Sequence, residues 1–357
     1  MTVHLVGGFL GSGKTTAILE ASRLLIKRGV SVGVITNDQG SNLVDTAFLQ
    51  SLGIKASEVT GGCFCCNLPD FQRMLEELQE IAAPQVVFAE PVGSCTDLVA
   101  TVMKPLAEAQ GPSRKIGSLS VLTDIRLIRQ RLEGRPLPFS SEVQYIFDTQ
   151  LEEAGILVLN KEDLLAAEAS REVLVKAQER FPGKKVILQS SRNPESVESW
   201  LGEIQAQSGL LSQSVSVDYD LYAKGENRLA WYDAVVVVET QNGEGRVVVQ
   251  RIVDSLGQAV VGRNRPTGHL KLLVRHRDSV FKCSMTSAGE EKPEIPTIQG
   301  RRLEITLNAR TEDGAMDLRA ALREAFARAL TGTALTWRVL EEDAFHPSKP
   351  VPYRRIN

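Results

Sequence analysis

Apolar residues in the first two-thirds of the chain fall into short unbroken runs. Val3 to Val6, Val30 to Ile35, Gln85 to Ala89, Ile116 to Thr123, Gly155 to Leu159 and Val186 to Gln189 each read as a strand buried on both faces. Amphipathic stretches lie between them. The stretch after Gly13 runs to about Lys27, with Ile18, Ala21, Leu24 and Leu25 at helical spacing. Pro69 to Ile81 places Phe71, Met74, Leu75 and Leu78 on one face, and Glu142 to Glu153 and Ser196 to Gln205 complete the set, the latter with Trp200 turned inward. Buried strands alternating with helices predict an α/β domain with a mostly parallel sheet. The composition then turns to Gln, Ser and Gly, and residues 207–225 read as a linker. Beyond it come Ala234 to Glu239 (strand), Arg246 to Val260 (helix), Leu270 to Arg275 and Ser279 to Met285 (strands), Arg302 to Leu307 (strand), Met316 to Leu330 (helix) and Leu335 to Leu340 (strand). That order is β-α-β-β-α-β with one strand broken, a ferredoxin-like α+β arrangement. The chain is therefore read as a domain over 1–206, a linker, and a smaller domain over 226–357 that ends in a basic, proline-rich tail from His346.

Composition changes this picture little. With 43% hydrophobic and 24% charged residues and a net charge of −3, the chain has the make-up of an ordinary globular protein and no basic excess for nucleic acid. No apolar run reaches membrane-spanning length, and no secretory leader is legible, so the cytosol is the expected compartment.

The chemistry concentrates at strand ends. Gly8-Phe9-Leu10-Gly11-Ser12-Gly13-Lys14-Thr15 follows the first strand and opens the first helix, in the pattern G-x-x-x-x-G-K-T. Such a loop turns backbone N–H groups onto phosphate oxygens, the lysine reaches the outer phosphates, and the threonine hydroxyl binds Mg²⁺. Thr16 extends the same cradle. After the second strand stand Asp38 and Asp45, one of which would hold Mg²⁺ or order the attacking water. Glu90 ends a buried strand three residues before Gly93, as in a γ-phosphate-sensing loop. Glu90 would hold Mg²⁺ or polarise the nucleophile, and the Gly93 N–H would meet the phosphate. Lys14, Asp38 and Glu90 are the catalytic candidates. Asn160-Lys161-Glu162-Asp163 ends a further strand, and N-K-x-D after a P-loop reads guanine: the Asp163 carboxylate accepts from both N1–H and the 2-amino group, a pair adenine lacks. Lys161 packs on the base and Ser191 lies on a loop able to close over it. Gly61-Gly62-Cys63-Phe64-Cys65-Cys66 offers three soft thiolates for Zn²⁺ or another thiophilic metal and leaves a fourth position for water, a remote side chain or a partner. Cys95 reads either as that remote thiolate or as a packed small residue. His269, His276, Cys283 and His346 are too scattered to read as a ligand set.

Together, Gly7 to Thr16, Gly62 to Cys66, Glu90-Pro91-Val92-Gly93, Asn160 to Asp163 and Gln150 to Ala154 resemble the CobW-type metallochaperone GTPases, relatives of the urease and hydrogenase nickel-insertion GTPases. The resemblance covers roughly 1–205. It implies GTP-dependent delivery of thiolate-bound Zn²⁺ or Co²⁺ from Cys63, Cys65 and Cys66 to a client metalloprotein, with Mg²⁺ beside the GTP; hydrolysis is expected to be slow alone, because no arginine finger or positioning glutamine is visible in the sequence. It leaves open a nucleotide-dependent homodimer. The alternative is an assembly factor that remodels a corrinoid or other cofactor enzyme without carrying free metal. The chain departs from the family in its first switch, Asn37-Asp38-Gln39-Gly40-Ser41, where Asn-Glu-Phe-Gly-Glu is usual, and it lacks a histidine-rich tract. The loops at 37–46 and 90–97 are expected to switch with nucleotide.

Overall fold

The computed structural model describes residues 1–40, 44–109, 114–207, 213–239, 244–261, 265–277, 279–289, 294–298, 301–333 and 335–357. Ser41 and residues 208–212 of the expected linker lie outside the described residues. The chain forms two compact units. The first comprises 1–39, 52–225 and 349–357, and the second 40–51 and 226–348.

The first unit is built on β1 (Thr2–Gly7), β2 (Val32–Asn37), β3 (Lys55–Val59), β4 (Val86–Glu90), β5 (Lys115–Asp124), β6 (Ile156–Asn160) and β7 (Lys185–Gln189). These strands form one parallel sheet in the order β3-β2-β4-β1-β5-β6-β7. Val3, Leu5, Val34, Val87, Phe88, Leu157 and Val158 are wholly buried, as strands covered on both faces require. Register aligns the strand tips: Thr36 pairs with Glu90, Asp124 with Asn160, and Asn160 with Gln189. Every sequence-predicted phosphate- or base-reading residue of this unit therefore sits at or just beyond the carboxyl edge of the sheet, where open α/β sheets take ligands. The helices are α1 (Lys14–Lys27), α3 (Leu68–Ala82), the short α4 (Lys104–Glu108), α5 (Ile125–Leu132), α6 (Ser141–Glu153), α7 (Ala167–Arg180) and α8 (Pro194–Ala206); α2 (Val44–Ser51) belongs to the second unit. A π-helical turn, Val99–Met103, precedes α4. Trp200 is buried as expected, its indole N–H donating to Ser120 Oγ at 3.0 Å. Instead of running as linker throughout, the chain enters α9 (Tyr219–Arg228).

The second unit holds β8 (Leu229–Glu239), α10 (Gly245–Val260), β9 (Thr267–His276), β10 (Ser279–Met285), β11 (Arg302–Glu312), α11 (Ala315–Leu330) and β12 (Thr336–Phe345). Its antiparallel sheet has the order β10-β9-β11-β8-β12. The strand expected to be broken is two strands: β9 and β10 pair antiparallel from Ser279 opposite His276 to Met285 opposite Leu270. The remaining four keep the ferredoxin-like order, and β10 adds an edge. Cys283 is buried in the apolar core. His346 accepts the Ala315 N–H at 3.2 Å. No helix among the described residues is long and apolar enough to cross a membrane.

Candidate functional site

The phosphate loop closes on itself between β1 and α1. Gly8 and Gly13 have φ of 128° and 94°, a region costly for residues with a Cβ. Space also excludes a side chain there: a Cβ at Gly8 would lie 2.0 Å from Leu122 O, and one at Gly13 2.4 Å from Asn160 Nδ2. Gly13 caps α1 without a side-chain bond, so the first N–H groups of α1 face the loop. Lys14 Nζ donates to Gly8 O at 2.9 Å, which holds the ammonium over the loop. Ser12 Oγ is buried with no partner, a polar atom that a phosphate oxygen would satisfy. Thr16 follows in the first turn of α1. Thr15 Oγ1 lies 2.9 and 3.1 Å from the two carboxylate oxygens of Glu90, and Lys14 lies 3.9 Å from the same group. A hydroxyl and a carboxylate converging in this way make a hard-oxygen pair suited to Mg²⁺. Asp38 lies just beyond β2, its carboxylate accepting the Gln39 N–H at 2.8 Å. Asp45 is not at this site. It sits on α2 in the second unit, paired with Lys271 at 2.5 Å and Lys282 at 2.7 Å.

The N-K-x-D turn is tied to the glycine loop through one side chain. Asn160 Nδ2 donates to Ser12 O at 2.7 Å, and its Oδ1 accepts from the Ser191 N–H and hydroxyl at 3.1 and 2.8 Å. Ser191 thus stands beside Asn160. Lys161 has φ 64° and pairs with Asp124 at 3.2 Å. Burial pushes the Asp124 carboxyl up, but hydrogen bonds from Arg126 and the Lys161 charge hold it below its usual value. Asp163 is exposed at the open face of this loop.

The three cysteines of the C-x-C-C stretch meet. Cys63 and Cys65 sulfurs lie 2.8 Å apart, Cys63 and Cys66 3.2 Å, Cys65 and Cys66 3.8 Å. The loop is folded by its own backbone, with Cys66 and Asn67 N–H groups donating to Cys63 O, and Phe64 stacks on Phe71. Asn37, at the end of β2, pins it from below. Its Nδ2 donates to Val59 O and Gly62 O, and its Oδ1 accepts the Phe64 N–H at 2.8 Å. Hydrogen bonds from the Cys65, Cys66 and Cys95 thiols draw the Cys63 thiol well below its usual pKa; the same contacts raise Cys65 well above its own, and Cys66 is pushed up to about 11, first by Cys63. These contacts make Cys63 the most readily ionised of the three thiols.

Three further groups support the site, the first two from the Gln150–Ala154 stretch. Gln150 on α6 donates to Gly93 O at 3.1 Å and Cys95 O at 2.8 Å, fixing the loop after Glu90. Glu153, one turn on, accepts the Val99 N–H at 2.6 Å, and burial pushes its carboxyl up to about 8. The C-terminal tail is the third. Tyr353 N–H donates to Cys65 O and Ile356 N–H to Ala100 O, both at 2.8 Å, and the Val351 backbone bonds Cys66. Arg355 meets the fully buried Asp97 at 2.7 Å, opposite the Tyr219 hydroxyl at 2.6 Å. Asp97 carries φ 62°, a conformation held by those partners. Because Arg355 is only 30% exposed, its charge-assisted bonds are worth about 1–2 kcal/mol after allowance for solvent screening. Arg355→Ala is therefore expected to loosen the tail and raise the reaction rate of Cys65 and Cys66 with an aromatic disulfide by about tenfold. An unchanged rate would show that the tail does not restrict access to the thiols.

The glycine loop, the oxygen pair and the N-K-x-D turn at one sheet edge define a P-loop nucleotide-binding domain of the guanine-reading class. Residues 2–189 match the CobW/HypB/UreG nucleotide-binding domain, and the chain belongs to that family. It is 29% identical over 250 residues to a zinc chaperone CobW of Sinorhizobium sp, covering 61% of this chain and 64% of that protein. It is 31% identical over 174 residues to the zinc chaperone YeiR of Escherichia coli (strain K12), covering 47% of this chain and 48% of that protein. The chain thus spans about half to two-thirds of the length of these relatives. A solved structure of a Zn(II)-bound triple mutant of the YjiA GTPase covers 92% of this chain at 15% identity and a TM-score of 0.39.

Proposed function

We propose that this protein is a GTP-hydrolysing metal carrier that couples nucleotide turnover to delivery of Zn²⁺ from Cys63, Cys65 and Cys66 to a client protein. The observation that carries the reading is the convergence of three sulfurs within 4.8 Å of one another, on a loop pinned by Asn37 to the strand beside Glu90. Thiolates of this kind favour a thiophilic ion. Zinc takes precedence over cobalt because the relatives above are zinc chaperones, and delivery fits a family that includes a hydrogenase maturation factor HypB.

In this reading the backbone of Gly8, Gly11, Ser12 and Gly13 cradles the phosphates, with Lys14 on the outer ones and Thr16 on the inner. Thr15 and Glu90 would hold Mg²⁺, which would supply charge neutralisation to the phosphates. Asp38 completes the oxygen shell or orders the water, Gly93 meets the γ-phosphate, and Asn160, Lys161, Asp163 and Ser191 hold the guanosine. No arginine finger or glutamine is assigned to the attacking water, so turnover without a partner is slow. GTP tightens the loops around the metal, and hydrolysis loosens them at the client.

Linkage supplies the test. If GTP tightens metal binding, metal tightens GTP binding by the same factor. A coupling of about 5–150-fold is expected between GTP affinities measured for the reduced protein with Zn²⁺ and with chelator. Equal affinities would remove the coupled carrier and leave a nucleotide switch with incidental cysteines.

A further inference from the structure

Residues 349–357 return to the first unit, cross the cysteine loop and reach the π-helical turn before α4. Building on the carrier reading above, we propose that this segment fills the docking groove for the client, and that an extended, arginine-bearing segment of the client displaces it.

The tail is held as a bound peptide is held. Its Tyr353 N–H donates to Cys65 O and its Ile356 N–H to Ala100 O, both at 2.8 Å. Main-chain bonds of this kind accept any extended sequence, and side-chain anchors supply the choice. The anchor here is Arg355. Its Nε lies 2.7 Å from Asp97 Oδ2 and its Nη2 3.3 Å from Asp97 Oδ1, while Nη2 also donates to Val215 O at 2.8 Å. The large side chains beside it do not hold the tail, since Val351 and Tyr353 are 69% and 66% exposed. A segment that served only to finish a core would turn them inward. Little apolar surface is therefore uncovered when the tail lifts away. Pro350 and Pro352 restrict the free segment to extended conformations, which keeps the ordering cost of its return small.

Charge decides what can take its place. Asp97 is 0% exposed, and once the tail has left, its carboxylate keeps the Tyr219 hydroxyl at 2.6 Å but loses its guanidinium. A buried carboxylate stripped of its cation is strongly unfavourable, so the groove selects an occupant that brings another one. Asp97 presents both oxygens to the guanidinium, a fork that arginine meets in a fixed plane and the single ammonium of lysine does not. The incoming segment lies across Cys65 O, beside the sulfurs that carry the metal in the reading above. Exchange of tail for client thus brings the acceptor to the cluster without leaving Asp97 unpaired.

The test uses the full chain and a fluorescently labelled synthetic peptide of residues 349–357. In Arg355→Ala the chain's own tail is loosened and the groove opened. This variant is expected to bind the peptide at least about tenfold tighter than wild type, whose tethered tail competes at an effective concentration of about millimolar. The same peptide with Arg355→Ala should bind neither protein. A chain carrying Asp97→Asn, which tolerates the positive φ but lacks the charge, should not bind the unaltered peptide. With Zn²⁺ loaded, transfer to a chromophoric chelator is expected to be about tenfold faster from the Arg355→Ala chain than from wild type, and the peptide should slow it again. Should Arg355→Ala fail to fold, Ile356→Pro, which deletes the donor to Ala100 O, replaces it. Peptide binding no tighter to these variants than to wild type, or undiminished by loss of the peptide's arginine, would make the tail a fixed part of the fold and overturn the proposal. A chain that binds the peptide as expected yet takes up no Zn²⁺ would overturn the carrier reading and support the groove as a docking site.

Discussion

Asp163→Asn is expected to lower GTP affinity by about two to four orders of magnitude while giving the protein measurable affinity for xanthosine triphosphate. In the proposed reading the Asp163 carboxylate accepts from two guanine donors, N1–H and the 2-amino group. Each charge-assisted bond of this kind is worth about 1.5–3 kcal/mol. An asparagine amide can still accept from N1–H, but its own NH₂ then faces the 2-amino group, donor against donor. Xanthine carries a carbonyl at that carbon, so the amide pairs with it. The fold should tolerate the change, because Asp163 is exposed and the turn is held by Asn160 and by the Lys161–Asp124 pair. Titrating fluorescent GTP and xanthosine triphosphate against both proteins decides the matter. GTP affinity undiminished in the variant would mean that the N-K-x-D turn does not read the base.

Much of this site was legible because its chemistry is written in contiguous residues. The glycine loop and the Asn160–Asp163 turn each follow an apolar run, so the carboxyl edge of a parallel sheet gathers them without further information, and the Cys63–Cys66 stretch is marked by its three thiols alone. Elements with a strong buried stripe were equally readable, as α3 shows with Phe71, Leu75 and Leu78 inside. Those with a weak one were not. In α7 only Ser170, Val173 and Ala177 are buried, and in β3 only Val59. What a residue holds across the chain was not legible locally, even for Gln150, which lies in a family-resembling stretch. Gln150 lies 55 residues from the Cys95 carbonyl it holds, and Arg355 lies 258 from Asp97. Of the acids after β2 the sequence favours Asp38 over Asp45 by position alone, since both fall in the first switch. The fold adds the physical reason: the chain leaves the first unit after Gln39, forms α2 on the second, and returns at Leu52. Asp45 therefore neutralises Lys271 and Lys282, and these two charges hold its carboxyl well below its usual value despite burial, so it serves α2 docking rather than Mg²⁺.

That detour gives one buried ion pair consequences beyond stability. Asp233→Ala is expected to cost about 3–5 kcal/mol, because it strands the Arg310 guanidinium, 0% exposed, without its counter-charge. Asp233 Oδ1 accepts from Arg310 Nη1 and Asn308 Nδ2, both at 2.7 Å, and the guanidinium lies 3.9 Å from the centre of the Trp231 ring. A domain has about 5–15 kcal/mol in all, so the variant should unfold its second unit at markedly lower denaturant. Replacing both partners, Asp233→Leu with Arg310→Met, should recover most of the loss, since a buried pair can be exchanged for apolar packing at little net cost. It should not recover the position of the first switch. Gly40 packs so tightly on the pair that a Cβ there would lie 1.8 Å from Asp233 Oδ2, and Asn308, which Asp233 orients, accepts the Val44 N–H that opens α2 at 2.9 Å. The double variant should thus be stable yet altered in GTP affinity or turnover, because Asp38 stands two residues before Gly40. Denaturation curves and GTP titrations of the two variants separate these effects. If the double variant regains both stability and wild-type GTP behaviour, the pair is packing alone, and the first switch takes no guidance from the unit into which it is folded.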